Sequence, residues 1–505
     1  MPDWARNVQA SAFMPARPIR VKIKNELGLP TSLPSGEQYH RLTGTGPDVV
    51  VWGLGPDSAA CVRLCPEAPR VFWIEAPDFE VQMPPSWHAA IPSHWIRVDP
   101  RRAPSLSRTC QTLIYEPNFR LFPSFWHPLA AHLRAMPGGM SIPAIWLPAP
   151  ANALVVPELA KAAQNLGLAP RRLPASLAVA DLTKRLEQET PTLFVSVNFH
   201  GLDPYGENQA LLEAAGVPVV VWCVDNPFHL LSSQKNHLWK KLPLAVTDEW
   251  FVPPLRQLGA RPVHLPLATD PDLFAPGPVC PNGRDLLFVG RSRFPDRDAF
   301  FAASSVSDTL LLAAKSLPGR QAHFGWWHDK RGGQPWPGAD VRNTGLGAEL
   351  ASERWRIEIL RALSHTETLT IVGDAAWTKL VPAARHLPPV DYYAGLAQTH
   401  ARASFCLNLT SLLLPHGLTQ RHFDVWASGG FLLTDTTPGL AIFPPELVAA
   451  VSFEDPGRVH DLIRDFATNP DRKNELRRAW QAHILAEHVY TRRLERILSF
   501  ARNGL

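Results

Sequence analysis

The stretch HGLTQRHFDVWASGGFLLTD, residues His416–Asp435, carries the strongest structural signal in this sequence. Gly417 frees the backbone ahead of a short helical segment, and a double glycine ends that segment. An apolar strand, Phe431–Thr434, follows at once. A helix, a tight glycine turn and a buried strand in this order are typical of an α/β domain.

Arg421 and Asp424 stand three positions apart in this stretch, so they share one face of the predicted helix. The N-terminus of a helix offers unpaired N–H groups and the positive end of a dipole, and both favour a phosphate. A carboxylate on that face can accept the hydroxyls of a ribose while the arginine holds a diphosphate. We therefore expect a nucleotide diphosphate to bind at this helix.

The same alternation of strands and helices extends outward from this stretch. Strands are predicted at Asp285–Gly290, Thr368–Val372 and Phe405–Leu409. Farther upstream, Thr192–Asn198 and Val217–Val224 are continuous apolar runs, which favours parallel strands covered on both faces. Two such α/β units in succession predict a cleft between the carboxyl ends of two parallel sheets, where ligands of open α/β folds bind.

We predict three domains, over residues 1–150, 151–275 and 285–505, with an interdomain linker at Thr269–Arg284 that is rich in proline and glycine. The first 40 residues have weak periodicity and are expected to form an irregular arm. In the N-terminal module, DVVVWGLGPDSAA (Asp48–Ala60) suggests a strand that enters a glycine turn. The run lacks the third glycine of a dinucleotide fingerprint, and we find no acidic residue at the usual distance downstream. A dehydrogenase is therefore a remote alternative.

Composition excludes several classes of protein. The net charge is only +4, and the sequence shows no concentrated basic face, which argues against nucleic acid as a partner. The longest apolar runs are strand length, so we expect no transmembrane segment, and the N-terminus does not resemble a signal peptide. Six cysteines over 505 residues do not form a disulfide framework or a zinc motif. Reduced thiols in a cytoplasmic protein are the expected state.

Two further strand ends carry glycine. FVGRSRFPDR stops a strand at Gly290 and presents Arg291, Arg293 and Arg297, whose guanidinium groups suit a diphosphate. An ordinary solvated basic loop explains the same residues equally well. IVGDAAW ends another strand at Gly373, where a loop can contact a base.

The region from about residue 392 to 498 resembles the donor-binding region of the CgeB-like glycosyltransferases, a branch of the group-1 family. The matching motifs are CLNLTS, GLTQRHFDVWASGGFLLTD, FEDP and AEHVYTRRLERIL. The middle domain is similar to its counterpart in that family through SVNFHG and VVVWCVDNPFHLL. Together these motifs span roughly residues 190–500.

The resemblance implies a GT-B fold, with two Rossmann-like domains facing a cleft and an additional N-terminal α/β module. It assigns the acceptor side to residues 151–275 and a nucleotide-sugar donor to residues 285–505, whose last helix crosses back. No metal and no cofactor other than the donor substrate are implied. The predicted donor-binding residues are Gly290, Arg291, Gly373, His416, Gly417, Gln420, Arg421 and Asp424.

Group-1 relatives often carry two acidic residues with seven residues between them. On this pattern Asp424 takes the ribose position, and His416 stands where the other acid would be. Transfer to a hydroxyl with inversion needs a general base. Asp225 and His200, which follow neighbouring strands of the middle domain, are the candidates, and His416 is the candidate on the donor side.

The leading hypothesis is a glycosyltransferase that moves a sugar from a nucleotide diphosphate to an acceptor hydroxyl on a protein, a glycan or a small molecule. Two alternatives stay open. The first is a nucleotide-sugar epimerase or hydrolase on the same fold. The second is an inactive nucleotide-sugar-binding or scaffold protein, for which His416 in place of an acid would be the sign.

Overall fold

In the computed structural model the chain forms two compact units, residues 1–134 and 135–505. The structure describes residues 20–65, 68–134, 140–277 and 281–503, without the side chains of residues 20 and 503. The first half of the predicted N-terminal arm and residues 278–280 of the predicted linker lie outside the described residues.

The first unit contains a small α/β sheet and a separate hairpin. Its strands are β1 (Arg20–Lys24), β2 (Pro30–Pro34), β3 (His40–Thr43), β4 (Val49–Trp52), β5 (Val71–Ile74), β6 (Ile96–Arg97) and β7 (Gln111–Tyr115). The sheet has the order β3-β7-β4-β5-β6, in which only β3 is antiparallel to its neighbour. Its helices are α1 (Ser58–Arg63), α2 (Pro77–Glu80), α3 (Pro85–Ala89), α4 (Ala103–Leu106), α5 (Asn118–Leu121) and α6 (Pro123–Arg134).

The sequence prediction of an irregular arm is wrong for residues 20–34, because these form the antiparallel pair β1–β2. Ile23 and Leu33 anchor this hairpin by packing into the core of the first unit. Weak periodicity hid the hairpin, since each of its strands has only five residues.

The glycine turn after β4 is closed by side chains of its own unit. Glu75 directly follows β5 and stands twenty residues after Gly55 in the chain. Its carboxyl group accepts hydrogen bonds from Leu54 N (2.9 Å) and Asn118 Nδ2 (3.0 Å). The sequence reasoning missed this acid. Its carboxylate is buried and bonded to the turn, and the ring of Tyr115 packs against the turn. The residues therefore fill the place where a dinucleotide fingerprint would hold its ligand.

The second unit begins with a parallel six-stranded sheet of order β13-β12-β11-β10-β8-β9. Its strands are β8 (Met140–Ala149), β9 (Ala169–Pro174), β10 (Glu189–Val197), β11 (Val219–Cys223), β12 (Pro243–Val246) and β13 (Arg261–His264). The apolar strand β11 is buried along its whole length, as its composition predicts. β8, which the sequence placed in the N-terminal module, belongs to this sheet because it pairs with β9 and β10.

A second parallel six-stranded sheet follows, with the order β16-β15-β14-β17-β18-β19. Its strands are β14 (Leu286–Val289), β15 (Leu369–Val372), β16 (Arg385–Leu387), β17 (Phe405–Asn408), β18 (Leu432–Asp435) and β19 (Ser452–Phe453). Chain order reverses at β14, which lies between β15 and β17. That reversal creates the crevice in which open α/β sheets bind ligands.

Helices cover both sheets of the second unit. Around the first sheet they are α7 (Val156–Asn165), α8 (Val179–Gln188), α9 (Glu207–Ala214), α10 (Pro227–Leu231) and α11 (Val252–Gln257). The remaining helices are α12 (Arg297–Phe300), α13 (Asp308–Lys315), α14 (Phe324–Arg331), α15 (Val341–Thr366), α16 (Trp377–Leu380), α17 (Leu396–Arg402), α18 (Arg421–Ala427), α19 (Pro445–Val451), α20 (Pro456–Thr468), α21 (Pro470–Glu487) and α22 (Tyr490–Asn503).

This architecture confirms the predicted fold class. Two Rossmann-like parallel sheets in one unit, with an additional α/β module before them, correspond to the GT-B type. The last helix, α22, packs against α7 and β11 of the first sheet. In this helix Arg493 Nε donates to Pro266 O (2.8 Å), which fixes the crossing. In the part of the chain that the structure describes, no helix is long and apolar enough to cross a membrane.

Buried polar contacts tie the two halves of the second unit together. Tyr393 Oη donates to Glu158 Oε2 of α7 at 2.8 Å, and the Glu158 carboxyl is wholly buried. Burial raises the pKa of Glu158 from 4.5 to about 7. The protonated carboxyl is therefore the form that the folded protein favours.

We predict that Glu158→Gln changes how stability depends on pH. In the wild type the contribution of Glu158 to the free energy of unfolding is highest below about pH 4.5 and falls as the pH rises from there through about 7, because its folded-state pKa lies above the unfolded one. Glutamine keeps an acceptor for Tyr393 and carries no charge. Relative to wild type, the variant should gain ~2–3 kcal/mol between pH 4.5 and pH 8 in urea unfolding.

Glu187→Gln, at an exposed position on α8, is the matched control and should leave the profile unchanged. Parallel profiles for wild type and Glu158→Gln would contradict the buried-acid interpretation.

Candidate functional site

The crevice beside β14 is shaped by two glycines, as the sequence predicts for the strand ends. Gly290 follows β14, and its carbonyl accepts a hydrogen bond from Trp377 Nε1 at 2.9 Å. Gly373 follows β15 and lies so close to the first turn that a Cβ at this position would collide with the Gly290 carbonyl. The two glycines therefore let these turns pack against each other at the carboxyl edge of the sheet.

Arg421 lies across the reversal point of the second sheet. Its Nε donates to Asn408 Oδ1 at the end of β17 (2.8 Å), and its Nη1 donates to the Val289 carbonyl at the end of β14. The guanidinium also lies 5.8 Å from the ring centre of Phe288. Burial, together with the positive charge of Arg356, lowers the pKa of Arg421 to about 10. Neither of the two bonds uses Nη2.

Asp424 does not occupy the position that the sequence reasoning gave it. It is 1% exposed, and both carboxylate oxygens are engaged, with Thr269 Oγ1 donating to Oδ1 (2.8 Å) and Tyr392 Oη donating to Oδ2 (2.5 Å). Burial raises the pKa of this carboxyl well above its ordinary value. In this structure Asp424 therefore joins Thr269, at the start of the predicted linker, to Tyr392, and both of its carboxylate oxygens are occupied by these bonds.

Two other residues of the same segment have packing roles. Gln420 precedes the first turn of α18 without a side-chain capping bond, and its side chain lies beside the Tyr490 hydroxyl. Gly417 lies where a Cβ would collide with Leu414. The glycine thus allows the loop before α18 to fold tightly.

The three arginines after β14 separate into two groups. Arg293 and Arg297 form ion pairs with Glu353 of α15, at 2.8 Å and 3.6 Å. Arg291 is exposed, and its side chain forms no hydrogen bond or ion pair with the described residues. Pairing with Glu353 accounts for Arg293 and for the buried Arg297, so the solvated-loop interpretation does not fit Arg297. Of the three side chains, that of Arg291 is free to meet a ligand.

A cavity of about 520 Å³ opens at the carboxyl ends of β18 and β19. His416 lines it together with Arg320, His323, Trp355 and Asp435. Burial lowers the pKa of His416, the Glu249 carboxylate opposes this fall, and the Arg320 guanidinium adds to it. The imidazole is therefore neutral at pH 7, able to donate one hydrogen bond and accept another.

A hydrogen-bond network connects this cavity to Arg421. Arg320 Nη1 donates to Asp435 Oδ2 (2.6 Å) and to Thr410 O (2.6 Å). Asn408 Nδ2 donates to Asp435 Oδ1 at 3.3 Å, and Asn408 Oδ1 accepts from Arg421. The two guanidinium groups are thus held in place by one buried amide and one buried carboxylate.

The loop that carries His416 is bonded to the first sheet. Asp248, after β12, accepts a hydrogen bond from His416 N at 3.0 Å, and burial raises its pKa to about 6. The next residue, Glu249, is exposed. The sequence reasoning missed both acids, although it predicted a strand at 244–247 and the motif TDEW follows that strand directly.

Asp225 and His200 lie together at the carboxyl edge of the first sheet, as the sequence predicts. Asn198 Nδ2 donates to Asp225 Oδ2 at 2.7 Å. The Asp225 side chain reaches the solvent, but protein atoms surround most of its carboxyl group. This desolvation raises the pKa of the carboxyl. Burial lowers the pKa of His200. Asn198 and Phe199 both adopt positive φ, 54° and 63°, a strained conformation that is common at functional sites.

The Asp225 turn meets the loop that carries His416. Asn226 Nδ2 donates to Leu413 O at 3.1 Å, so this contact crosses between the two halves of the second unit. The structure thus brings Gly290, Gly373, Arg421 and His416 to one edge, with Asp225 and His200 on the facing sheet. Of the predicted residues, Asp424 alone lies behind this edge, in the interior.

Comparison with protein families gives one match. A model described as glycosyl transferase-like matches residues 354–499, which include β15 to β19 and α18. This match supports a glycosyl transferase-like domain over that part of the chain. The finer resemblance to the CgeB-like branch stays a prediction. No curated protein matches the chain.

Several solved structures align with this chain at low sequence identity. A glycosyltransferase from Rickettsia africae is 10% identical, covering 72% of this chain and 98% of its own, with a TM-score of 0.41. Anabaena HepE in complex with UDP and glucose gives 9% identity, 72% and 100% coverage and a TM-score of 0.43. The β-glucosyltransferase of T4 phage is 11% identical, and the alignment covers 72% of this chain and 100% of that one, with a TM-score of 0.38. Values this low carry no inference about function.

Proposed function

We propose that this protein transfers a sugar from a nucleotide diphosphate to an acceptor hydroxyl. The observation that carries the proposal is the Arg421 guanidinium, held across the reversal point between β14 and β17. The glycosyl transferase-like match over residues 354–499 covers that arginine and supports the same function.

The donor would lie along the carboxyl edge of the second sheet. Gly290 and Gly373 let the two turns pack closely beside Arg421, and Arg421 with Arg291 supplies positive charge for the phosphates. When the sugar leaves, the diphosphate gains negative charge, which these guanidinium groups stabilise. The proposal gives this role to arginine and invokes no metal ion. Since the Asp424 carboxylate is engaged elsewhere, we assign the ribose no acidic partner there.

The acceptor would approach from the first sheet. Its hydroxyl oxygen forms a bond to the anomeric carbon, the bond from that carbon to the phosphate oxygen breaks, and the nucleotide diphosphate leaves. The hydroxyl proton passes to Asp225, whose raised pKa suits a general base. His416, which lines the cavity beside β18, would hydrogen-bond the transferred sugar.

We predict that Arg421→Gln weakens the binding of UDP and UDP-glucose, used as probes, by at least roughly tenfold, because a charge-assisted hydrogen bond to phosphate is lost. Isothermal titration calorimetry measures the effect. Arg293→Gln is the matched control, since that arginine lies on the neighbouring loop and is paired with Glu353. Thermal unfolding of each variant verifies that it is folded.

Unchanged affinity in a folded Arg421→Gln protein would contradict the proposed donor site. If the wild type binds neither probe, a panel of other nucleotide diphosphates is titrated in the same way. Failure of all of them would overturn the proposed function.

We predict that Asp225→Asn lowers the transfer rate by about 10²-fold or more while donor affinity stays the same. The rate is measured as nucleotide diphosphate released in the presence of a cell-extract acceptor fraction. In the wild type, activity should fall as the pH drops through the raised pKa of Asp225, because only the ionised carboxylate accepts a proton. The asparagine variant should lose this acidic limb.

Asp181→Asn, at an exposed site on α8, is the control for removal of a carboxylate from the same domain. Wild-type rates in Asp225→Asn would exclude Asp225 as the base. Donor cleavage that proceeds equally well without any acceptor would favour the hydrolase alternative, and donor binding without turnover would favour a binding protein.

A further inference from the structure

A second cavity, of about 400 Å³, lies next to the one that contains His416. The 3-10 turn Pro438–Ile442, which follows β18, contributes Pro438 to the first cavity and Ile442 to the second. His264, at the carboxyl end of β13, lines the second cavity from the facing sheet. The cavity therefore opens on the same side of both sheets as the proposed reaction site.

The charge of this cavity has one sign. Arg256, Arg493 and Arg496 line it, and no aspartate or glutamate is among its described lining residues. Burial lowers the pKa of both lining histidines, His264 and His488, so neither adds to the charge at pH 7. Three arginine charges therefore face a space that a small organic anion can fill.

Arg493 forms the fixed wall of the cavity. It is buried, and its guanidinium donates to backbone carbonyls of Pro266 and Leu267 and to His488 Nδ1. No carboxylate pairs with it within the described part of the chain. Burial lowers the pKa of Arg493 to about 10, with further lowering by the charge of Arg496. A bound anion would offset the cost of this buried charge.

Arg256 and Arg496 form the accessible part. Both are exposed, at the end of α11 and on α22 respectively. Arg496 Nη2 donates to His264 O at 3.2 Å, and its guanidinium lies 5.9 Å from the ring centre of Phe500. The Arg256 side chain has no hydrogen bond or ion pair with the described residues. Two guanidinium groups of this kind can close on a phosphate from opposite sides.

Glu249 lies within electrostatic reach of both cavities. Its exposed carboxylate opposes the fall in the pKa of His416 in the first cavity and of His264 in the second. Because the 3-10 turn Pro438–Ile442 lines both cavities, a molecule anchored by a negative group at Arg256 and Arg496 would extend along this turn toward His416. From this geometry we infer that the acceptor carries a phosphate group, which the cavity around Arg256, Arg493 and Arg496 binds.

This inference rests on the proposed function only in naming the bound molecule as the acceptor. The anion site itself is tested with glucose 6-phosphate as the probe and glucose as its uncharged counterpart, by calorimetry at low and high salt. Wild type should bind glucose 6-phosphate in a salt-sensitive way and should not bind glucose.

The double variant Arg256→Gln/Arg496→Gln should bind glucose 6-phosphate at least roughly tenfold more weakly, because two charged donors are lost. Its affinity for UDP should equal that of wild type. Arg492→Gln is the matched control, since Arg492 is exposed on the same helix and points to Glu487 and Ala486 O.

The outcomes separate the two proposals. If UDP binds but glucose 6-phosphate does not bind wild type, or binds the double variant equally well, the anion site is overturned and the proposed function stands. If glucose 6-phosphate binds as expected and no nucleotide diphosphate binds, the donor proposal fails and the anion site stands. If Arg421→Gln alone weakens the phosphate probe, the probe occupies the donor site, which also overturns the inference.

Discussion

The arrangement of the second unit depends on Arg421, whose guanidinium bridges the ends of two adjacent strands at the reversal point of the sheet. Its partner Asn408 continues the bridge to Asp435 and, through that carboxylate, to Arg320. A buried charge is stable only when its hydrogen bonds are satisfied, so this network fixes the strand ends as well as the arginine. The crevice beside β14 and the cavity around His416 are two openings of one rigid edge. The proposed donor site follows from this rigidity, because recognition of phosphate requires positive charge that is already in position.

Local sequence patterns were sufficient for the fold. The apolar run in β11 and the glycine turn before β18 predict parallel strands, since burial on both faces and tight turns leave clear local signals. The i, i+3, i+4, i+7 spacing of Val459, Leu462, Ile463 and Phe466 predicts α20, in which all four are buried. Prediction was weaker for α15, which was expected only over 354–364. Gly345 and Gly347 weaken the helix signal in the first half of α15. Glycine is required at these positions because the rings of His229 and Trp327 occupy the space that a side chain would need.

The candidate site was only partly predictable, because its parts meet through contacts that are distant in sequence. Arg421 and the glycines were found from local motifs. The burial of Asp424 depends on Thr269 and Tyr392, which are far away in the chain, so helix spacing alone could not reveal it. The same limit hid Arg320, which lies in the long segment between β14 and β15, and Asp248, whose role appears only when His416 N is seen to donate to it. In the first unit a local motif is misleading in the opposite way. The glycine turn there looks like a nucleotide-binding turn, but the Glu75 carboxyl group is hydrogen-bonded to it.

The central claim is that the carboxyl edge of the second sheet holds a nucleotide diphosphate at Arg421. A crystal structure of the protein with a bound nucleotide-diphosphate sugar tests this claim most directly. The account predicts a phosphate oxygen within about 3 Å of the Arg421 guanidinium, beside the Gly290 turn. A nucleotide bound elsewhere, for example at the Gly53–Gly55 turn of the first unit, with no phosphate in contact with Arg421, would contradict it.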